Sequence, residues 1–205
     1  MRMIDQSWEW LRKPDNPLEL IEKAGRTCYK SEERINKGSA DKFVRMILNR
    51  GHETVIEHAA ASVRFVTNRG VTHELVRHRL ASYSQESTRY VRYDGSMEFI
   101  KPVWWETWSR EEQETWETAM RQAEIAYCEL VERGSRPEQA REVLPNSIKT
   151  EIVMTANLRE YRHMLKLRCS KQAHPQIRVL MIDLLKGFHD VVPVIFDDLY
   201  DKFKD

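Results

Sequence analysis

The stretch "ASVRFVTNRGVTHELVRHRLASYSQESTRY", residues 61–90, decides the fold class. Its first eight residues alternate in part, with Val63 and Phe65 on one face, the period-2 signature of a strand. A short helix over about 70–78 follows, and with it a run of cations, Arg77-His78-Arg79. Successive helical residues point about 100° apart, so these three serve one ligand only if the helix ends there and the chain wraps. Ser82, Ser84, Gln85 and Ser87 are turn-forming and carry no apolar stripe, which supports a wrap. Arginine offers planar paired donors matched to phosphate or carboxylate, and a loop rich in arginine, hydroxyl and backbone N–H is a cradle for a nucleotide phosphate. Spacing alone also permits a solvated charge run beside a turn.

Working outward, helix signals dominate. Asn16-Pro17-Leu18-Glu19 sets an N-cap, a first-turn proline and a third-position glutamate in order, for a helix to about Tyr29. Ser39 is placed to cap a second helix with Phe43, Met46 and Ile47 as its stripe, ended by Gly51. Ser109-Arg110-Glu111-Glu112 is a capping box opening a long helix to about Arg133, with Trp116, Ala119, Ala123, Tyr127 and Leu130 as its stripe and Gly134 as its stop. A short helix starts at Ser135–Glu138. The segment "IKTEIVMTAN", residues 148–157, fits a strand or a helix by period. Helices near 158–169 and 175–190, and one after Pro193, complete a helix-rich α+β chain with few strands.

Composition excludes several classes. Across 205 residues, Lys+Arg 33 against Asp+Glu 32 leaves a net charge of +1, so no global field draws the chain to nucleic acid or membrane, and any basic site is local. Cys28, Cys128 and Cys169 are odd in number and widely spaced, with no C-x-x-C, which points to thiols in a reducing cytoplasm. No apolar run approaches the roughly 20 residues of a membrane span, and the N-terminal stretch lacks the apolar core of a signal peptide.

Two further constellations stand out. "GHETVIEH", residues 51–58, suggests the zinc motif H-E-x-x-H, but Ile56 stands where the second histidine belongs and His58 lies too far round a helix; no metal site is expected. A capping His52 and a packed His58 are one reading; a polar-ring site built from two histidines, Thr54 and Glu53 is the other. In "AREVLPNSIKTEIVMTANLREYRHMLKLRCS", residues 140–170, polar Arg141, Asn157, Arg159, His163 and Arg168 recur among apolar neighbours. Arg159 and His163 share a helix face at i, i+4, with Asn157 at the expected N-cap, whereas Arg168 lies five beyond His163. The plain alternative is an amphipathic helix with Met164, Leu165 and Leu167 inward. The tryptophans 104, 105 and 108 read as packing, and His174 before a proline reads as structural.

Taken together, the three segments resemble the flavin-dependent thymidylate synthase family. Arg77-His78-Arg79, Ser82, Ser87 and Arg89-Tyr90 fit its Arg-His-Arg hallmark in register. "GHETVIEH" is similar to its Gly-His-x-[Ser/Thr]-x-x-Glu-His element. Residues 140–168 match its Ala-Arg-x-x-Leu-Pro and Thr-x-Asn-x-Arg patterns, and the likeness covers roughly residues 20–190.

The resemblance implies an α+β fold with a mixed or antiparallel sheet flanked by helices, one domain over residues 1–205, assembled as a homotetramer with active sites between subunits. It implies transfer of the methylene of methylenetetrahydrofolate to dUMP, with FAD recharged by NADPH as hydride source, yielding dTMP. FAD would meet His52, Thr54, Arg77, His78, Arg79, Gln85, Asn157, Arg159 and His163. The nucleotide would meet Glu74, Arg77, Gln85, Glu86, Ser87, Thr88, Arg89, Arg141 and Arg168. Arg168 is the catalytic expectation: a guanidinium that never titrates can stabilise the N3-deprotonated uracil. Ser87 has no evident paired base and is assigned to binding.

The chain departs from the family pattern at three places. Ser84-Gln85 replaces Asn-Glu, Thr88 replaces a glycine, and Gln172 stands where many members carry a histidine. Two other readings stay in view. One is a nucleic-acid-binding module presenting a basic, tyrosine-interleaved surface, which leaves the polar residues near 52 and 157 unexplained. The other is an inactive relative of the same fold.

Overall fold

The computed structural model describes residues 1–93 and 95–204. Among the described residues six strands form, β1 (Arg2–Ile4), β2 (Ser7–Arg12), β3 (Ala60–Asn68), β4 (Ala81–Gln85), β5 (Glu98–Ile100) and β6 (Lys149–Asn157). Strands β1 and β5 pair in parallel with Met3 opposite Phe99, and the others form an antiparallel sheet in the order β2-β3-β6-β4. The α-helices are α1 (Pro17–Thr27), α2 (Ser39–Asn49), α3 (Arg69–Leu75), α4 (Arg110–Glu132), α5 (Pro137–Ala140), α6 (Leu158–Arg168), α7 (Pro175–Val191) and α8 (Pro193–Phe203). Short 3-10 turns cover Glu32–Arg34, Glu53–His58 and Arg141–Val143. The fold class is therefore helix-rich α+β with a sheet.

Residues 148–157, ambiguous by period, are settled as strand. Thr150, Ile152, Met154 and Ala156 are buried while their neighbours are partly exposed, and β3 alternates in the same way through Ala61, Val63, Phe65 and Thr67. The sheet supplies the apolar surface that favours this choice, and a lone strand cannot reveal it. The serine-rich segment after the cations, expected as a turn, is strand β4 instead; ladder pairing overrides its turn-forming side chains.

The chain divides into two compact units. The first comprises Met1–Ser7, Phe65–Arg77 and Tyr83–Val153. Its core packs Met97, Phe99, Met120, Tyr127, Val131 and Ile148, and α4 begins with the expected reciprocal Ser109–Glu112 box. Trp105 and Trp116 meet edge to face at 5.6 Å. The second comprises Trp8–Arg64, His78–Ser82 and Met154–Asp205. There Phe188 is wrapped by Trp10, Tyr161 and Phe196 at ring separations of 4.7, 4.5 and 4.8 Å. Such buried aromatics dominate the stabilisation of a small core.

Capping differs in detail from expectation. Asn16 precedes α1 in a left-handed conformation (φ 41°) and makes no side-chain cap, because that backbone turns its side chain away from the helix N–H groups. Ser39 is the first residue of α2 instead of its cap, and its hydroxyl donates to Glu22 at 2.7 Å. Val44 is buried beside Phe43 and Ile47, while Met46 is exposed. Gly51 ends α2 at φ 71°, where a Cβ would be strained.

Candidate functional site

In the second unit, helix α6 organises the polar groups. Asn157 is its N-cap, with Oδ1 accepting from the backbone N–H of Glu160 at 2.9 Å. The N–H of Leu158 donates to the carbonyl of Ala59 at 2.9 Å, tying the helix start to the entrance of β3. On its outer face, Arg159 pairs with Glu57 and approaches Glu53 at 3.8 Å. Both glutamates lie on the 3-10 turn that carries His52 and Thr54, so the "GHETVIEH" element and α6 meet through ion pairs. His52, Thr54 and His163 are exposed. His58 is exposed as well, which corrects the packed reading.

The decisive contact is deeper. Residue 78 lies beyond α3, which ends at Leu75, so the helix stops before the cation run, the first half of the condition for a shared ligand. His78 is buried, with its side chain 5% exposed, whereas Arg79 is exposed. The Nε–H of Arg168, 90 residues away in the chain, donates to His78 Nε2 at 3.1 Å. The His163 ring stands edge to face with His78 at 5.9 Å. Burial above all, then the Arg168 and His163 charges, lowers the His78 pKa to about 4. The imidazole is neutral at pH 7. His78, the centre of the Arg-His-Arg element, and the terminal guanidinium of α6 thus form one group.

The first unit holds the other candidates. Glu74 is half-buried on α3, and Arg77 is exposed just past it. Gln85, at the end of β4, donates through Nε2 to Thr72 Oγ1 at 2.9 Å and Thr150 Oγ1 at 3.3 Å. Thr72 donates its own hydroxyl proton to the carbonyl of Arg69 at 3.0 Å, so position 85 must supply a donor. That is the physical reason an amide suits this position. Glu86 accepts from Tyr93 Oη at 2.7 Å and Lys149 Nζ at 3.2 Å. Burial works against the Lys149 ammonium, but Glu151 and Glu86 outweigh it and raise its pKa.

Residues 87–90 turn on Ser87, whose carbonyl accepts from the N–H of Tyr90 and whose hydroxyl accepts from the N–H of Arg89. Arg141 Nη1 donates to the buried Thr88 Oγ1 at 3.5 Å, bringing the 140s to this loop. Thr88 takes the glycine position without strain: among the described residues, the left-handed non-glycine positions are Asn16 and Lys30. Arg89 is exposed and lies over the Tyr90 ring at 5.4 Å.

Residues 9–194 match the family model described as thymidylate synthase complementing protein. The chain belongs to that family. Its relatives named flavin-dependent thymidylate synthase include one from Geobacter sulfurreducens, 36% identical over 92% of this chain and 84% of the relative. Another, from Pyrococcus furiosus, is 36% identical over 87% of this chain and 78% of its own length. A solved structure of a UMP/dUMP methylase, PolB from Streptomyces cacaoi, superposes with a TM-score of 0.81 over 99% of this chain and 98% of that chain, at 22% identity, a likeness of fold.

Several partners in this flavin-dependent thymidylate synthase family member escape a reading of the sequence. Glu160, Lys149, Tyr93, Thr72 and Thr150 carry no motif, and each matters through what it touches. Glu160 alone leaves a trace, as a first-turn acid three residues after an N-cap asparagine. His174 is structural, its Nδ1 accepting from the N–H of Gln176 at 3.2 Å at the start of α7. Among the described residues, no cluster of three or more metal-ligating side chains occurs and no helix is long and apolar enough to cross a membrane.

Proposed function

We propose that the chain catalyses the reductive methylation of dUMP to dTMP, taking the methylene from methylenetetrahydrofolate and its electrons from NADPH. The observation that carries this reading is the Arg168–His78 hydrogen bond, which unites two distant sequence elements in one half-buried contact.

The donor chemistry of the second unit suits FAD. Exposed Arg79, His52, Thr54 and His163, with Arg159 and Asn157 beside them, offer the cations and N–H or O–H donors that a pyrophosphate and a flavin ring require. Bound there, FAD supplies the hydride chemistry, and the protein orients and polarises. The dUMP phosphate and sugar are assigned to Arg77, Arg89, Arg141, Ser87 and Thr88, with Glu74 and Gln85 beside them. Glu86 acts on the nucleotide by shaping the loop, since Tyr93 and Lys149 occupy its carboxylate. Arg168 lies along the uracil edge, where its permanent charge favours the N3-deprotonated ring and raises electron density at the carbon that receives the methylene.

Residues 1–205 act in this reading as one domain of a homotetramer. The three free thiols fit the reducing cytoplasm. The test is anaerobic turnover with dUMP, methylenetetrahydrofolate, FAD and NADPH, scored for dTMP. Formation of dTMP that requires all four components is expected; a protein that binds FAD but forms none would overturn the assignment in favour of an inactive relative. Ser87→Ala should raise the KM for dUMP while leaving turnover measurable. Complete loss of chemistry with dUMP still bound would make Ser87 a nucleophile.

A further inference from the structure

Glu160 is a carboxylate in an unusual place. It sits in the first turn of α6 with its side chain 6% exposed, and Oε1 lies 3.6 Å from His78 Nδ1. The opposite ring nitrogen, Nε2, accepts the Nε–H of Arg168. Arginine has no acceptor to offer, so the contact requires Nε2 to be bare. A neutral imidazole carries one proton, which must then reside on Nδ1, facing Glu160. The other tautomer would set N–H against N–H at the Arg168 contact and leave the carboxyl facing a lone pair.

We infer that His78 is a positioning residue for Arg168: the Arg168 donor keeps Nε2 bare, so the imidazole is the Nδ1–H tautomer, a form the Glu160 carboxyl facing Nδ1 at 3.6 Å favours electrostatically, and the bare Nε2 fixes the guanidinium through its Nε–H. No proton moves along this array. It fixes a charged group at the end of α6 through a ring from another segment. All three side chains belong to the second unit, so the array is internal to it.

The protonation states agree with the geometry. His78 is kept neutral by burial and by the nearby positive charges. Burial raises the Glu160 pKa, opposed by His163, and in either state the carboxyl presents an oxygen towards Nδ1. The consequence for turnover rests on the proposed function, in which Arg168 meets the uracil edge. There an error of about 1 Å costs on the order of 10²-fold in rate. The tautomer itself does not depend on that reading.

Two measurements test the inference. The first is nitrogen-15 NMR of the imidazoles at pH 7, with His78 assigned through its variant. A protonated Nδ1 and a bare Nε2 are expected in the wild-type protein, with the two tautomers mixing in Arg168→Leu, which removes the guanidinium donor. An Nε2–H tautomer or a doubly protonated ring in the wild-type protein overturns the inference. The second is steady-state dTMP formation. His78→Phe keeps a ring but no acceptor and should lower kcat about 10²-fold, well beyond any change in the dUMP KM. His78→Gln, which can present a carbonyl near the old Nε2 position, should recover part of that loss. Wild-type kcat in His78→Phe also overturns the inference. If the wild-type protein makes no dTMP, the functional reading fails and the NMR pattern alone decides the array.

Discussion

Arg168 and Arg89 are assigned to the same nucleotide, yet the molecule holds them in opposite ways. Arg168 is half-buried at the end of α6 and bonded to a buried neutral imidazole. Arg89 is exposed in a hydroxyl-rich turn, its guanidinium resting on the face of Tyr90. An arginine fixed by a buried partner has surrendered its rotamer freedom during folding and can act on developing charge without rearrangement. An exposed arginine keeps that freedom and can follow a phosphate as it arrives. The contrast separates a group suited to chemistry from one suited to capture.

The sharpest way to break this contrast is Arg168→Ala. Turnover to dTMP should fall by at least about 10²–10³-fold, the usual cost of removing one preorganised charge-stabilising donor. FAD content, read from flavin absorbance, should persist. Normal dTMP formation in the variant would remove Arg168 from the mechanism.

Acid should strike the fixed region next. Titratable and charged groups that face His78 include Glu160, His163 and Arg168. The folded pKa of His78 is about 4, below the unfolded value of 6.5. Between those values the unfolded chain binds a proton that the folded chain refuses, so stability rises with pH across this window. The His78 contribution is complete above pH 6.5 and lost as pH falls towards 4, by a few kcal/mol at most. Urea melts at both pH values should show a smaller difference in His78→Phe, and an equal difference would refute the assignment.

Gln85→Glu addresses the first unit. A carboxylate there would face the Thr72 lone pair, since the hydroxyl proton of Thr72 is committed to Arg69. Loss of about 1–3 kcal/mol of stability is expected, seen as a lower Tm. An unchanged Tm would mean that the Thr72 hydroxyl turns freely. The smallest effect is that of Asn157→Ala, which removes the α6 cap and should cost about 1 kcal/mol in denaturant unfolding.

Much of this site can be read without coordinates, and the limit has a physical basis. Local chemistry is visible: the Ser109–Glu112 box, the Asn157 cap and the break after α3 all depend on residues a few positions apart. Strand β4 was hidden because its serines favour turns and only pairing with β6 makes them extended. Residues 148–157 were ambiguous because their apolar spacing suits two periods. The resemblance named Arg168 and His78 separately; neither composition nor spacing places one against the other.

By itself, the sequence determined the helix-rich α+β class, the helix boundaries to within a few residues, and the side chains able to carry charge to a nucleotide and a flavin. Only the tertiary structure decided which of those charges are held and which are loose: His78 buried between Glu160 and Arg168, Gln85 compelled to donate, Glu86 taken by Lys149 and Tyr93. Helix and cap signals act over three or four residues and so are written locally. Desolvation and hydrogen-bond polarity depend on neighbours as far as 90 residues away in the chain, and only folding brings those together.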